Sequence, residues 1–181
     1  MTDSGYALVP TAIGTCAVAW RGDAVTAVAL PEADERRTER HVRRVAGGEV
    51  ARAVPPPRIA AVIDRMVRLL DGEPEDLSDV EVAVAHRSPF EQRVHDVVRS
   101  IPPGSTLTYG EVAERAGEPG GARAVGRAMG DNPVPIIVPC HRVVGVGDRP
   151  VGFSAPGGVA TKQRILRIEG ARAGGAPTLF D

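Results

Sequence analysis

Two helix-start signals in residues 88–111 constrain this chain more than any other feature. Ser88-Pro89-Phe90-Glu91 offers a capping hydroxyl, a proline at the first helical position and a glutamate three residues after the cap, and Thr108-Tyr109-Gly110-Glu111 supplies a second such box. Side-chain oxygens at these places satisfy amide groups that the start of a helix leaves open. The first box predicts a helix with the apolar face Phe90, Val94, Val97, Val98 and Ile101, stopped by Pro102-Pro103-Gly104. The second predicts a short helix that carries Val112, Ala113 and Ala116 and ends at Gly117. After Glu118-Pro119, the segment Gly120 to Met129 sets Ala122, Val125 and Met129 on one side and Arg123 and Arg127 one turn apart on another. Two short helices joined by a glycine-containing turn form the frame of a helix-turn-helix, whose second member commonly contacts nucleic acid. Many all-helical domains that bind no nucleic acid share that frame. The second helix adds its own signal: Ala122, Ala124, Gly126 and Ala128 let its backbone approach a partner closely, while Arg123 and Arg127 reach beyond it.

The earlier residues read differently. Two candidate strands, Ala7 to Trp20 and Ala24 to Leu30, are joined by Arg21-Gly22-Asp23 and form a hairpin. Two helices follow, the charged Glu32 to Val45 and Arg58 to Leu70, where Ile59, Val62, Ile63, Met66, Val67 and Leu70 recur at helical spacing. Pro55-Pro56-Pro57 breaks the chain between them, and a third short strand is expected over Val80 to Ala85. These pieces make a small α/β unit that ends near residue 87.

With 181 residues the chain has room for one ordinary domain, or one domain and a small companion. No apolar run approaches the roughly 20 residues that cross a bilayer, and MTDSGYALVP lacks a basic segment followed by an apolar one, so a cytoplasmic protein is expected. Cys16 and Cys140 then stay thiols. Their separation, and the lack of a second ligand pair among His41, His86, His95 and His141, give the expectation of no metal. The net charge of −1 hides an asymmetry: residues 1–118 hold 14 Lys+Arg against 19 Asp+Glu, whereas residues 119–172 hold 8 against 3. The positive stretch suits a phosphate backbone. Scattered arginines that merely keep the protein in solution are the other reading.

The chemistry concentrates in Asn132-Pro133-Val134-Pro135-Ile136-Ile137-Val138-Pro139-Cys140-His141-Arg142-Val143-Val144, a proline-braced apolar run that delivers a Cys-His pair. Prolines remove backbone freedom on the approach to the cysteine, as a reactive group requires. A free cysteine in such a run also fits a plain core position. For reactivity the thiolate is the nucleophile, so a neighbouring base matters. Adjacent side chains seldom point the same way, which favours a water between Cys140 and His141 over a direct bond. The histidine then needs an orienting partner on its other nitrogen. Glu169, at the end of a helix Gly158 to Ile168, falls on the apolar face with Val159, Ile165 and Leu166; turned inward it requires a partner, and at a frayed end it would lie in solvent.

Pro139 to Val143, the Arg-Ala-Val-Gly helix and Asn132-Pro133 before it, and a Gly-rich loop, Lys162 and Glu169-Gly170 after it resemble the O6-alkylguanine-DNA alkyltransferases, also called methylated-DNA–protein-cysteine methyltransferases. The resemblance runs from about Ser88 to Ala171 and is vaguer over residues 1–87. It implies an α/β N-terminal domain (1–87, ribonuclease H-like), a mainly α C-terminal domain with a winged-helix-like helix-turn-helix (88–171) and a tail (172–181). It implies a monomer that needs no cofactor and acts on double-stranded DNA containing O6-alkylguanine, with no membrane partner. Cys140 would accept the alkyl group, His141 would be its base through water, Glu169 would orient that histidine, and Asn132 would brace the turn. Tyr109 would bond the guanine and crowd its phosphate, the carbonyls of Cys140 and Val143 would read the guanine amino group, and Ser154 and Lys162 would stand with the substrate. Arg123 would replace the extruded base, with Ala122, Ala124 and Arg127 on the DNA-facing helix. An extruded base is needed because an alkyl carbon on O6 is inaccessible inside a duplex. A thioether has no easy return to a thiol, so each molecule would act once.

One departure stands out. Ala155-Pro156 lengthens the loop by two residues over many relatives, and Phe153 stands where an aromatic hydroxyl is often found. Cys16 has no matching role and reads as a buried strand residue. Two alternatives remain: a binding module without chemistry, against which the full Cys, His, Asn and Glu set argues, and a cysteine hydrolase, which would turn over many times.

Overall fold

The structure is a computed structural model and describes residues 3–86 and 88–171; the 172–181 tail lies outside the described residues. The chain divides into two compact units, Met1–Ala85 with Pro133–Ile137, and His86–Asn132 with Val138–Asp181.

The first unit is built on three antiparallel strands, β1 (Ser4–Thr11), β2 (Gly14–Arg21) and β3 (Ala24–Ala29), in that spatial order. The expected single strand from Ala7 to Trp20 is therefore two. At the turn the Thr11 hydroxyl accepts from the Ile13 N–H at 3.2 Å and donates to the Gly14 carbonyl at 2.7 Å. Gly14 holds φ +121°, a conformation that side chains disfavour, so the residue after the turn has to be glycine. Helix α1 (Glu35–Ala46) starts on Asp34, whose carboxylate accepts from the Arg37 N–H, and stops at Gly47 in the left-handed region. Its Val42 packs on a sheet face of Ala17, Ala19, Ala27 and Ala29 beside Tyr6, where the small side chains let helix and sheet come close. Helix α2 (Pro57–Leu70) begins on the third proline, a residue suited to the first turn, and buries Ile59, Met66, Leu69 and Leu70.

The strand expected over Val80 to Ala85 is reduced to one parallel bridge, Val25 to Val82, closed by Val25 N–H to the Glu81 carbonyl and Ala83 N–H to the Val25 carbonyl. Three residues further along β3, the Val28 N–H bonds the Pro133 carbonyl at 2.9 Å, so another segment takes over that edge. Val82 and Val84 stay half-buried.

In the second unit both capping signals form. Ser88 accepts from the Glu91 N–H at the head of α3 (Pro89–Arg99). At the head of α4 (Tyr109–Arg115), Thr108 accepts from the Glu111 N–H at 3.1 Å while the Glu111 carboxylate accepts from the Thr108 N–H at 2.7 Å. Helix α5 (Ala122–Gly130) follows, burying Val125, Ala128 and Met129 and exposing Arg123 and Arg127. The N-terminal sheet with its helices, and the mainly helical domain carrying the α4–α5 pair, have the fold class expected. Two short strands, β4 (Leu107–Thr108) and β5 (Val143–Val144), pair in parallel, joining the start of α4 to the residues after His141.

Helix α6 (Gly158–Ile168) buries Lys162, Ile165 and Leu166. Val159, placed on that face by the sequence, is 39% exposed, because the buried stripe runs through Lys162 rather than through the first turn. The helix end is closed rather than frayed. Gly170 adopts φ +71°, its N–H bonds the Arg167 carbonyl, the Ala171 N–H reaches the Leu166 carbonyl, and Ala171 packs with Leu166 and Val144. Among the described residues, no helix is long and apolar enough to cross a membrane.

Candidate active site

The approach to Cys140 is stiff. Ile136 is buried with φ +74°, a region that β-branched residues rarely occupy. Asn132 donates from its side chain to the Val138 carbonyl at 2.8 Å, tying together the two ends of the Pro133–Ile137 excursion. A single 3-10 turn, Cys140–Arg142, then presents three consecutive buried side chains.

Cys140 is 7% exposed. Burial pushes its thiol pKa up, while a hydrogen bond with the Asn132 side chain, the Lys162 charge and the backbone N–H groups of Cys140 and His141 act in the opposite direction. Thus the position is neither the plain hydrocarbon pocket of an inert cysteine nor an ionised surface thiol. Cys16 gives the contrast: it is buried on β2 as expected, and burial raises its pKa to about 11, with only the Thr11 hydroxyl opposing.

His141 lies beside Glu169, with Nε2 2.8 Å from Oε1. The helix end that closes on Gly170 turns Glu169 inward, and its side chain is fully covered. Burial would raise the Glu169 carboxyl pKa, but His141 and Arg142 together overcome burial and hold it down at about 2. An ionised carboxylate makes Nε2 the protonated ring nitrogen and leaves Nδ1 as the acceptor. Burial, with Arg142 and Lys162 nearby, lowers the His141 pKa against the pull of Glu169. The imidazole is therefore held as a base at neutral pH.

Lys162 is fully buried. Its ammonium donates to the Val143 carbonyl, to the Val151 carbonyl at 2.8 Å and to the Tyr109 hydroxyl at 3.4 Å. Burial lowers its pKa to about 8, with Cys140 opposing. Tyr109 in turn donates to the Val151 carbonyl at 2.9 Å, and burial, with Cys140, raises its pKa to about 12. Gly152 is needed against that ring, since a Cβ there would stand 3.0 Å from the Tyr109 hydroxyl at a positive φ. The Pro156 carbonyl accepts from the Thr161 hydroxyl and the Ala155 carbonyl from the Gly158 N–H, so Ala155 and Pro156 are tied to the first turn of α6.

Tyr109, Ala122, Arg123, Gly126, Val151 and Gly152 line one open groove of about 430 Å³. Ala124 and Arg127 line a different one, with Ser88, Phe90, Glu91 and Asp131. Ser154 donates to the Gly130 carbonyl at 3.1 Å. The structure thus brings Cys140, Asn132 and Lys162 together, joins His141 to Glu169, and places Tyr109 and Arg123 on one groove. Sequence reasoning passed over Arg142, the second partner of Glu169. The signal was available: a guanidinium embedded in the apolar run Val138–Val144 has to find a buried anion.

The α4–α5 pair beside a buried Cys-His turn defines the class: a helix-turn-helix protein with a cysteine site. Comparison with known proteins narrows that class. The family model for the 6-O-methylguanine DNA methyltransferase DNA binding domain matches residues 89–171. A Mycobacterium bovis methylated-DNA–protein-cysteine methyltransferase is 41% identical over 127 residues, 70% of this chain and 74% of that protein. A Methanothermobacter thermautotrophicus protein of the same description is 37% identical over 84% of this chain and 78% of its own length. Among solved structures, the Mycobacterium tuberculosis O6-methylguanine methyltransferase superposes with a TM-score of 0.72 at 35% identity, covering 98% of this chain and 99% of that one. A Mycobacterium tuberculosis OGT in complex with DNA has a TM-score of 0.72 at 33% identity over 94% of this chain and 95% of its own. The chain belongs to the methylated-DNA–protein-cysteine methyltransferase family.

Proposed function

We propose that this protein repairs DNA by moving the alkyl group of an O6-alkylguanine onto Cys140, once per molecule. Membership of the family supports the activity. The observation that carries the residue assignment is the buried set in which Asn132 and Lys162 attend the Cys140 thiol and Glu169 fixes His141 as a base. Its natural partner is double-stranded DNA, met by a monomer in the cytoplasm, where both thiols stay reduced.

In this reading the Arg123 face of α5 enters the minor groove, Arg123 takes the place of the extruded base, and Ala122, Ala124 and Gly126 allow the close approach. Arg127 meets phosphate. Tyr109 exchanges its Val151 partner for the guanine, Ser154 turns from Gly130 to O6, and Lys162 holds the Val143 carbonyl toward the guanine amino group. The thiol proton passes through water to His141 Nδ1. The thiolate attacks the alkyl carbon, the S–C bond forms as the C–O6 bond breaks, and the departing electron pair stays with guanine. Guanine takes up one proton from solvent and the His141 imidazolium returns the thiol's proton to it, so thiol and alkylguanine become thioether and guanine with nothing left over. Because this exchange makes no use of a metal or an organic cofactor, none is assigned.

The test mixes the protein with a duplex carrying one O6-methylguanine and follows both partners by peptide mass spectrometry. One methyl on the Cys140 peptide, restored guanine and no second turnover are expected, and Cys140→Ser transfers none. Methyl on any other peptide rejects the assignment.

A further inference from the structure

The His141–Glu169 pair is only part of a larger buried cluster. Arg142 is 5% exposed and meets both carboxylate oxygens of Glu169, Nε to Oε2 at 3.0 Å and Nη2 to Oε1 at 2.7 Å. Its third nitrogen, Nη1, donates to the Ile101 carbonyl at 2.7 Å, just past the end of α3. Arg142 is therefore held in one orientation from two elements, the α3 terminus and the α6 terminus, and presents a planar fork to the carboxylate. Glu169 Oε1 is shared between His141 and Arg142.

The charges of this cluster decide what the imidazole does. With Arg142 and Glu169 both ionised, the cluster is neutral when His141 is neutral, and protonating the ring would leave an uncompensated positive charge in a covered site. Without the guanidinium, the buried carboxylate would find its counter-ion in the imidazole, and the neutral arrangement would be imidazolium with carboxylate. The remaining charged or titratable neighbours, Lys162 on α6 and Cys140 in the same turn, do not supply that missing positive charge to Glu169; Lys162 is committed to Val143, Val151 and Tyr109.

We infer that Arg142 is a positioning residue that keeps His141 an uncharged base, by occupying Glu169 so that the carboxylate orients the imidazole without protonating it. The inference rests on the proposed role of His141 in alkyl transfer. It assigns Arg142 a task in the reaction that a mere structural brace would not have.

The pH dependence of single-turnover methyl transfer to Cys140 separates the two. In Arg142→Met the midpoint of the His141-dependent limb moves to higher pH by about one to three units, and the rate at neutral pH falls about tenfold or more while the alkaline plateau is largely retained. Arg142→Lys, which keeps the charge, leaves the midpoint near that of the wild type. A uniform loss of rate in Arg142→Met with an unmoved midpoint overturns the inference, and so does Arg142→Lys shifting as far as Arg142→Met. Ring-nitrogen NMR of the unmodified protein gives an answer independent of activity and of how the variants fold. His141 is expected as the neutral Nε2–H tautomer at neutral pH, and an imidazolium there refutes the inference. If the tautomer is as expected and no methyl reaches Cys140, the proposed function fails instead.

Discussion

At the scale of single residues, His141 and Glu169 tie the site to the acid stability of the protein. Burial depresses the His141 pKa below its ordinary 6.5, so below that value the unfolded chain binds a proton that the folded one resists. Its contribution to stability is present above pH 6.5 and is lost as pH falls. Glu169 acts in the same sense lower down: its pKa falls from 4.5 to about 2, so the stability it adds is complete above 4.5 and disappears as pH drops toward 2. Stability measured by denaturant titration should therefore decline in two stages, first below 6.5 and more steeply below 4.5. In Glu169→Gln the second stage should flatten. An unchanged acid limb in that variant would mean that the carboxylate is not held by His141 and Arg142 as the structure has it.

Elements differ in how far their sequence announces them, and the reason is the reach of the interactions that form them. The starts of α3 and α4 were legible because Ser88 with Glu91, and Thr108 with Glu111, complete their bonds within one turn. The β1–β2 turn escaped notice because Thr11-Ala12-Ile13-Gly14 has only one turn-forming glycine among residues that also suit a strand. The isolated Val25–Val82 bridge depends on a segment far along the chain coming to the edge of β3, and the inward turn of Glu169 depends on a helix end closing on Gly170. The Cys140-His141 pair stands out in one short run and Asn132 entered only through the resemblance, whereas the Arg142–Glu169 contact spans 27 positions and becomes visible only when folded. The Thr108 box offers a direct measure of a local signal. Thr108→Ala removes one of its two reciprocal bonds and should cost about 0.5–2 kcal/mol of stability. Since Tyr109 is the first residue of α4, the same change should slow repair more than the stability loss alone explains. Urea unfolding together with single-turnover rates checks both parts, and an unaltered unfolding midpoint would show that the box does not hold the helix start.

The whole molecule carries its charge unevenly, and the unevenness bears on how it would hold DNA. Residues 119–172 hold 8 Lys+Arg against 3 Asp+Glu, although the chain as a whole stands at −1. Two of those cations are unavailable to a phosphate backbone, because Arg142 and Lys162 are buried in the site. Arg123 and Arg127 are exposed on α5, but they line different grooves, Arg123 with Tyr109 and Arg127 with Asp131. Their contributions should therefore separate. Each phosphate neutralised on B-form DNA adds about 0.9 to the steepness with which affinity falls against salt on logarithmic axes. If Arg127 meets phosphate, Arg127→Ala weakens damaged and undamaged duplex alike and reduces that steepness by about one. If Arg123 fills the vacated stack, Arg123→Ala leaves the salt slope nearly unchanged. It slows repair of the duplex while sparing the reaction with free O6-benzylguanine, in which no base has to be displaced. Titrations of both variants across a range of salt, paired with rates on duplex and free base, distinguish the two arginines; equal slopes and equal losses for both would assign them the same task and remove Arg123 from the extrusion step.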